Sequence, residues 1–346
     1  MSKRKKVAEL AGVSEATVSR VLNNVGPVRE ETKQKVIAAA KEIGYTPNSI
    51  ARSFVLQRSE NLGVVMPVLP KVRLFSAYYF SEILSGIGYV AERRGFSLLV
   101  QFYQAGEKPS YEVAFQKRKI DGCIILGAKN DEHDLQALQA LKESGCPFCI
   151  VGGRTELPYS EVDADHVTGS KSAVRHLLDS GHRRIVFVNG PLEYSNSYDR
   201  LLGVREALSE NGIDEADSLL MLQGNYSRKS GYALADIIYE ARHTFNAVFA
   251  ANDRMAIGLM QGLRERGMYA GKDYTLVGYD DSEASRVTDP PLTTVHVPFF
   301  EMGRLAAERL IDQIESSSAQ VEPAGPFKEM LATELVVRES SRFTYN

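Results

Sequence analysis

From Leu62 to Asp281 the chain alternates short apolar runs with amphipathic ones, and no other feature restricts its fold so strongly. LGVVMPVL, FSLLVQFY, Gly122–Leu126, Phe148–Val151, RIVFVNG, SLLML, AVFAAN and TLVGYDD have the length and apolarity of buried strands. Helical patterns fall between them at Phe80–Arg94, Asp134–Glu143, Ser170–Ser180, Asp199–Asn211, Ser227–Tyr239 and Met255–Arg266. Strands each followed by a helix build parallel, doubly wound α/β sheets, and the units suffice for two. Ligands of such sheets bind beyond the carboxyl ends of the strands. Here those ends run into Pro67–Tyr79, Asn189–Asp199, Asn252–Asp253 and Asp280–Asp281.

The preceding residues have a different texture. In VAELAGVSEATVSRVLNN (Val7–Asn24), Val7, Ala8, Leu10 and Ala11 make one apolar stripe and Ala16, Val18, Val21 and Leu22 a second. Gly12 supplies the permissive backbone of a tight turn, and Ser14 is a good N-cap for the second helix. This spacing predicts a helix-turn-helix, whose second helix can lie in a DNA major groove; an ordinary helical hairpin is the alternative. A third helix is expected from Glu30 to Ile43, with Gly44 at its end.

Charge favours the DNA-reading alternative. Residues 1–58 hold 11 Lys+Arg against 5 Asp+Glu, whereas the rest holds 30 against 39. A basic end on an acidic body fits a nucleic-acid arm joined to a core that does not bind DNA. Three cysteines make neither a disulfide framework nor a four-cysteine metal site. Cys146 and Cys149 have the spacing of a redox pair, but the apolar FCIV run reads as a buried strand. MSKRKK lacks the apolar core of a signal peptide, and no apolar run spans a bilayer, so a cytoplasmic location is expected. No GxSxG, GxGxxG, Walker or HExxH pattern occurs, and adjacent acids such as Asp280-Asp281 point to opposite faces of a strand. An enzyme is therefore not expected, nor is a cofactor or a metal.

AGVSEATVSRVLN (Ala11–Asn23), YTPNSIARSF (Tyr45–Phe54), LGVVMP (Leu62–Pro67), GHRRIVFVNGP (Gly181–Pro191), RLLG (Arg200–Gly203), FAANDRMAIG (Phe249–Gly258), VGYDD (Val277–Asp281) and PPLTTV (Pro290–Val295) together resemble the LacI/GalR family of bacterial transcription regulators. The resemblance covers nearly the whole chain. It implies a helix-turn-helix headpiece (1–46), a hinge helix and linker (47–60), and a two-subdomain doubly wound parallel-sheet core of the periplasmic-binding-protein type (61–346). It further implies an N-subdomain of about 61–161 plus 294–323 and a C-subdomain of about 162–293 plus 324–340, the last strand, around Met330–Val337, returning to the C-subdomain. The expected partners are double-stranded operator DNA, a small-molecule effector and a second copy of the chain. No leucine heptads follow LVVRESS, so a dimer rather than a tetramer is expected.

By position in the family motif, Glu15, Ala16 and Arg20 face base edges. Arg20 can bond guanine bidentately and Ala16 can touch a thymine methyl. Glu15 either accepts from cytosine or serves as a helix N-terminal charge. Thr17, Ser19 and Asn23 are expected on phosphates. Asn48–Phe54 resembles the family's hinge helix, with Arg52 on the DNA and Phe54 where the minor-groove wedge is usually leucine. The family's usual Thr-Ile-x-Asp entry to helix one is replaced by Lys3-Arg4-Lys5-Lys6, which predicts loss of a good cap and a gain of phosphate-seeking charge.

In the cleft, the resemblance implies Arg200 and Asp280 as direct polar contacts, Tyr226 as an aromatic platform, Asn252 and Asp253 as further polar groups, and Tyr79 and Phe80 as the opposite wall. Asp253 could equally cap the helix from Met255, and Tyr78–Phe80 could be core. Arg154 is a weaker candidate that could pin the subdomains together, and His166 stands where the family usually has Asn. A sugar is the favoured effector. The alternatives are a purine or sugar-phosphate responsive regulator, or a sugar-binding protein with no regulatory role.

Overall fold

A computed structural model describes residues 2–22, 26–45, 58–68, 77–104, 109–318 and 325–342. The chain forms two units, residues 1–60 and 61–346. Among the described residues, no helix is long and apolar enough to cross a membrane.

The first unit holds α1 (Lys3–Ala11), α2 (Glu15–Leu22) and α3 (Glu30–Glu42). Val7, Ala8, Ala11, Val18, Val21, Val36, Ala39 and Ala40 form its core. Gly12 ends α1 in the left-handed region (φ 64°), a conformation that costs a side-chain-bearing residue energy, and it opens the turn into α2. The Ser14 hydroxyl caps α2 by accepting from the Thr17 N–H at 3.1 Å. The expected loss of a cap on α1 is corrected: Ser2 takes that place, its hydroxyl accepting from the Lys5 N–H at 3.2 Å. Asn23, Arg52 and Phe54 lie outside the described residues, as does the expected hinge helix.

The second unit contains two six-stranded sheets. The first, ordered β11-β5-β4-β3-β1-β2, is wholly parallel. It comprises β1 (Asn61–Val68), β2 (Ser97–Gln104), β3 (Gly122–Leu126), β4 (Phe148–Val151), β5 (Ser160–Ala164) and β11 (Lys328–Leu331). Helices α4 (Tyr78–Arg93), α5 (Glu112–Gln116), α6 (Glu132–Glu143) and α13 (Phe299–Ser318) accompany it. The second sheet is ordered β12-β10-β9-β8-β6-β7, with only β12 antiparallel. Its strands are β6 (Ile185–Asn189), β7 (Leu219–Gln223), β8 (Ala247–Ala250), β9 (Thr275–Asp280), β10 (Thr293–His296) and β12 (Glu334–Val336). Its helices are α7 (His166–Asp179), α8 (Ser195–Glu210), α9 (Glu215–Ser218), α10 (Arg228–Ala241), α11 (Asp253–Arg264) and α12 (Glu283–Arg286).

Strand pairing moves the expected subdomain edges. Val162 pairs with Val151, so β5 keeps the first sheet going to Ala164 instead of ending at 161. Thr294 pairs with Gly278, so the second crossing follows His296 rather than Thr293. The run expected as one last strand of the C-subdomain is two. Met330 pairs with Asp163 in the first sheet, and Leu335 pairs antiparallel with Val295 in the second. Only Ala332 and Thr333 separate them, and no Gly or Pro marks the break. The chain thus crosses at Asp165, at 297–298 and at 332–333, and these three passages join the subdomains.

The CPFC cysteines do not face one another. Cys149 packs into the core shared by both sheets, whereas Cys146 lies with Cys123 in a separate cluster under α6. All three thiols are free and buried, which fits the buried-strand reading.

Candidate binding cleft and DNA-reading helix

The cleft is built from strand ends, where backbone leaves the sheet and side chains become free to converge. On the C-subdomain side, RLLG opens the second turn of α8. Gly203 is needed there because a Cβ would stand 2.3 Å from the Val167 carbonyl oxygen, so only glycine lets α8 lie close against α7. That approach brings Arg200 beside His166, the first residue of α7. Arg200 is 3% exposed and its guanidinium stacks 4.3 Å from the Tyr279 ring centre. Its Nη1 donates to the Tyr226 hydroxyl (3.1 Å) and its Nη2 to His166 Nδ1 (3.5 Å), while Nε has no partner among the described residues.

His166 sits at the centre of this cluster. Burial, followed by the neighbouring Arg200 charge, holds its pKa below the usual imidazole value. In the neutral ring Nδ1 accepts from Arg200 and from the Tyr279 hydroxyl (3.1 Å), which leaves Nε2–H toward Asp163 at 3.4 Å.

Tyr226 occupies the turn between β7 and α10 with φ 63°. Its ring lies across Gly190, where a Cβ would come within 2.1 Å of the ring, so this glycine after β6 makes the platform possible. The hydroxyl bonds Ser197, Arg200 and, at 3.1 Å, Asn196 Oδ1. Asn252 positions the ring from below. Its Oδ1 caps α11 at Met255 N (2.9 Å) and its Nδ2 donates to the Tyr226 carbonyl (3.1 Å).

The two acids of this wall differ. Asp253 is fully buried with both oxygens occupied: Oδ1 accepts from the Thr294 hydroxyl (2.6 Å), Oδ2 from Ser282 N and Oγ (2.7 and 2.8 Å). Burial pushes its carboxyl up to about 7. The cap expected of Asp253 comes from Asn252 instead, because α11 starts two residues earlier than predicted. Asp280 ends β9 at φ 109° and carries no side-chain hydrogen bond among the described residues. Burial and then the neighbouring Asp253 raise its pKa well above the carboxylate range, with Arg200 and Arg254 pulling it back.

On the N-subdomain side Tyr79, in the first turn of α4, donates its hydroxyl to the Val151 carbonyl at 3.0 Å and packs edge-on against Phe80 and Phe299. Phe80 is 6% exposed inside the core, which corrects its expected place on the wall. Sequence reading gives no role to the groups that close the mouth. Asn130 N donates to the Glu193 carbonyl (3.0 Å), and Lys129 lies 3.5 Å from the Glu193 carboxylate and 5.5 Å from the Tyr194 ring centre. Arg154, the weaker candidate, reaches Asp199 of α8, and its backbone N–H meets Ser195 Oγ at 3.0 Å.

In the first unit, Ala16 and Arg20 share the exposed face of α2, opposite buried Val18 and Val21. Glu15 pairs with Arg4 at 2.8 Å at the start of the helix. Thr17 bonds Ser14 through its hydroxyl (2.9 Å), and Ser19 is partly buried. The arrangement is a capped helix held on its inner face, with a small residue and a guanidinium turned outward.

Comparison with known proteins bears on both units. Residues 5–48 match the model of bacterial regulatory proteins of the lacI family, and residues 174–341 match a periplasmic binding protein-like domain. The HTH-type transcriptional regulator CelR of Thermobifida fusca is 34% identical over 339 residues, covering 96% of each chain. DegA of Bacillus subtilis, also an HTH-type transcriptional regulator, is 31% identical over 97% of this chain and 96% of its own. Among solved structures, a CelR–cellobiose complex aligns with TM-score 0.72 at 32% identity, over 98% of this chain and 100% of that one. A lac repressor dimer bound to operator and the anti-inducer ONPF aligns with TM-score 0.82 at 28% identity, over 98% of both.

Proposed function

The chain belongs to the LacI family of bacterial regulatory proteins and is a DNA-binding transcription regulator, and from that premise we propose that a neutral saccharide, bound between the two core subdomains, controls its operator affinity. The observation that carries this reading is Asp280. It is a buried carboxyl group at the end of β9 with no side-chain hydrogen bond among the described residues, in a cluster that also holds the Arg200 guanidinium and the Tyr226 ring. A protonated carboxyl donates to one sugar hydroxyl and accepts from another, a guanidinium donates, and an aromatic ring packs on the C–H face of a pyranose. The charge balance supports a neutral ligand over a phosphate. Arg154 and Lys129 each have acidic partners, Arg254 lies near Asp280, and Arg200 is shared between two tyrosines. Asn252 and Asp253 act by holding Tyr226 and the end of β9 rather than by touching the ligand, and Tyr79 braces the opposite strand end.

A glucose disaccharide is the first ligand to test, since the CelR relative was solved with cellobiose. The regulator works as a homodimer in the cytoplasm, each headpiece reading one half-site of a two-fold operator. Arg20 and Ala16 read bases and Glu15 secures the start of the recognition helix. Titration calorimetry with cellobiose, glucose, glucose 6-phosphate and hypoxanthine is the direct test. A disaccharide is expected to bind best, and Asp280→Ala to weaken it about 30- to 100-fold, the loss of a hydrogen-bond partner in a desolvated site. Tighter binding of the phosphate or the purine than of any sugar would overturn the assignment.

A further inference from the structure

Arg154 belongs to the first sheet and hydrogen-bonds the other subdomain with its side chain. It ends VGGR, on the loop after β4 of the first sheet. Its guanidinium hydrogen-bonds Asp199 of α8, across the cleft, and its Nε lies 3.4 Å from Asp163 Oδ2 on β5. Its backbone N–H also reaches over, to Ser195 Oγ at the start of α8. Asp163 is two residues from the first crossing, at Asp165, and its side chain is 1% exposed; that of Asp199 is 6% exposed. Two buried carboxylates on opposite subdomains therefore share one cation. The planar fork of an arginine suits such a pair, where the point charge of a lysine does not.

The two contacts differ in kind. Arg154 and Asp163 belong to the same sheet and move together, and their facing atoms, Nε and Oδ2, make no hydrogen bond. The bond to Asp199 exists only while the subdomains are together. Without Arg154, Asp163 and Asp199 face each other as like charges beside a neutral His166. We propose that Arg154 is a positioning residue of the effector response, an interdomain clasp on Asp199 that sets the balance between open and closed cleft. A ligand that binds the closed cleft gains apparent affinity in proportion to the closed fraction. The clasp thereby tunes effector sensitivity without touching the effector, and only this second consequence rests on the saccharide reading.

The test measures closure directly. Spin labels on Gln136→Cys in α6 and Ser209→Cys in α8 report the distance across the cleft in full-length protein, with labelled chain diluted into unlabelled chain. Gln136 and Ser209 are exposed, and the native thiols are buried away from the label. Without ligand, Arg154→Ala and Asp199→Asn are expected to enlarge a longer-distance population, and Arg154→Lys to enlarge it less. Cellobiose titration should show about a tenfold weaker Kd in Arg154→Ala and partial rescue in Arg154→Lys, as expected if the closed fraction falls about tenfold. If Arg154→Ala does not fold, Asp199→Asn and Arg154→Lys carry the comparison. Unchanged distance distributions in the folded variants would overturn the clasp whatever cellobiose does. If wild-type protein binds no cellobiose, the saccharide reading fails, while the distance measurement still decides the clasp.

Discussion

At the scale of single residues, helix neighbours two positions apart have opposite duties. On α2, Val18 is buried and Arg20 is exposed, so replacing Arg20 should leave the fold intact and change only DNA reading. Arg20→Ala is expected to cost about 1–3 kcal/mol per half-site and to relax preference at one base pair. Anisotropy titrations against an operator and its single-base variants check this; uniform weakening across all variants would mean a phosphate contact instead. Asp253 shows the converse. Its folded carboxyl titrates at about 7, above an unfolded value near 3.8, so the folded state binds the proton more tightly. Its contribution to stability is therefore full below about pH 4, declines as pH rises to about 7, and is level beyond, by up to about 4 kcal/mol. Asp281, held down to about 2 by its hydrogen bonds from His296 and Arg338 against the opposing effect of burial, contributes stability that is present above about pH 4 and lost as pH falls toward 2. Urea unfolding of wild type and Asp253→Asn between pH 4 and 8 separates them: the variant should be less stable and should lose the decline between pH 4 and 7.

At the scale of elements, legibility in the sequence followed how each element meets solvent. β3 and β4 agree to the residue with their prediction, because unbroken apolar runs end at glycine or polar residues. β5 is absent from the sequence reading although all five of its residues are buried. SEVDA has the composition of a loop, and its acids are tolerable inside only because partners arrive from elsewhere: Thr155 and Lys328 for Glu161, Arg154 for Asp163. The helix α13 is also missing from that reading, although it is twenty residues long and lies close against α4 at Gly303 and Gly86. Arg200, Tyr226 and Asp280 were legible through motifs. The meeting of Arg154, Asp163 and Asp199 was not, since it needs three elements brought together by tertiary packing. For α1 the structure divides the basic run. Arg4 is held by Glu15, while Lys3, Lys5 and Lys6 are exposed on the first turn. Replacing those three lysines by Gln should reduce the slope of log affinity against log salt by up to about 2.7 per headpiece, about 0.9 for each phosphate contact. An unchanged slope would remove them from the DNA interface.

At the scale of the whole molecule, regulation is a coupling between two binding events carried by three short passages of chain at Asp165, 297–298 and 332–333. The first and third passages are tied to each other: Asp165 donates its N–H to the Leu331 carbonyl, and its own carbonyl accepts from the Thr333 hydroxyl. A change of cleft angle must therefore move these passages together. An effector can shift operator affinity only by its differential affinity for the two arrangements, and the shift is reciprocal. For a dimer with two clefts on one operator, if saturating effector changes operator affinity by a factor of about ten, saturating operator must change effector affinity at each cleft by about threefold, in the same sense, the two factors multiplying to about ten. The measurement is a pair of titrations: effector into free protein and into the protein–operator complex, against operator with and without effector. An operator-side ratio equal to the square of the per-cleft effector ratio supports one cleft per subunit coupled to one headpiece. An operator-side ratio larger than that square would place additional ligand binding outside the cleft, and a ratio that varies with protein concentration would place the coupling in dimer assembly instead.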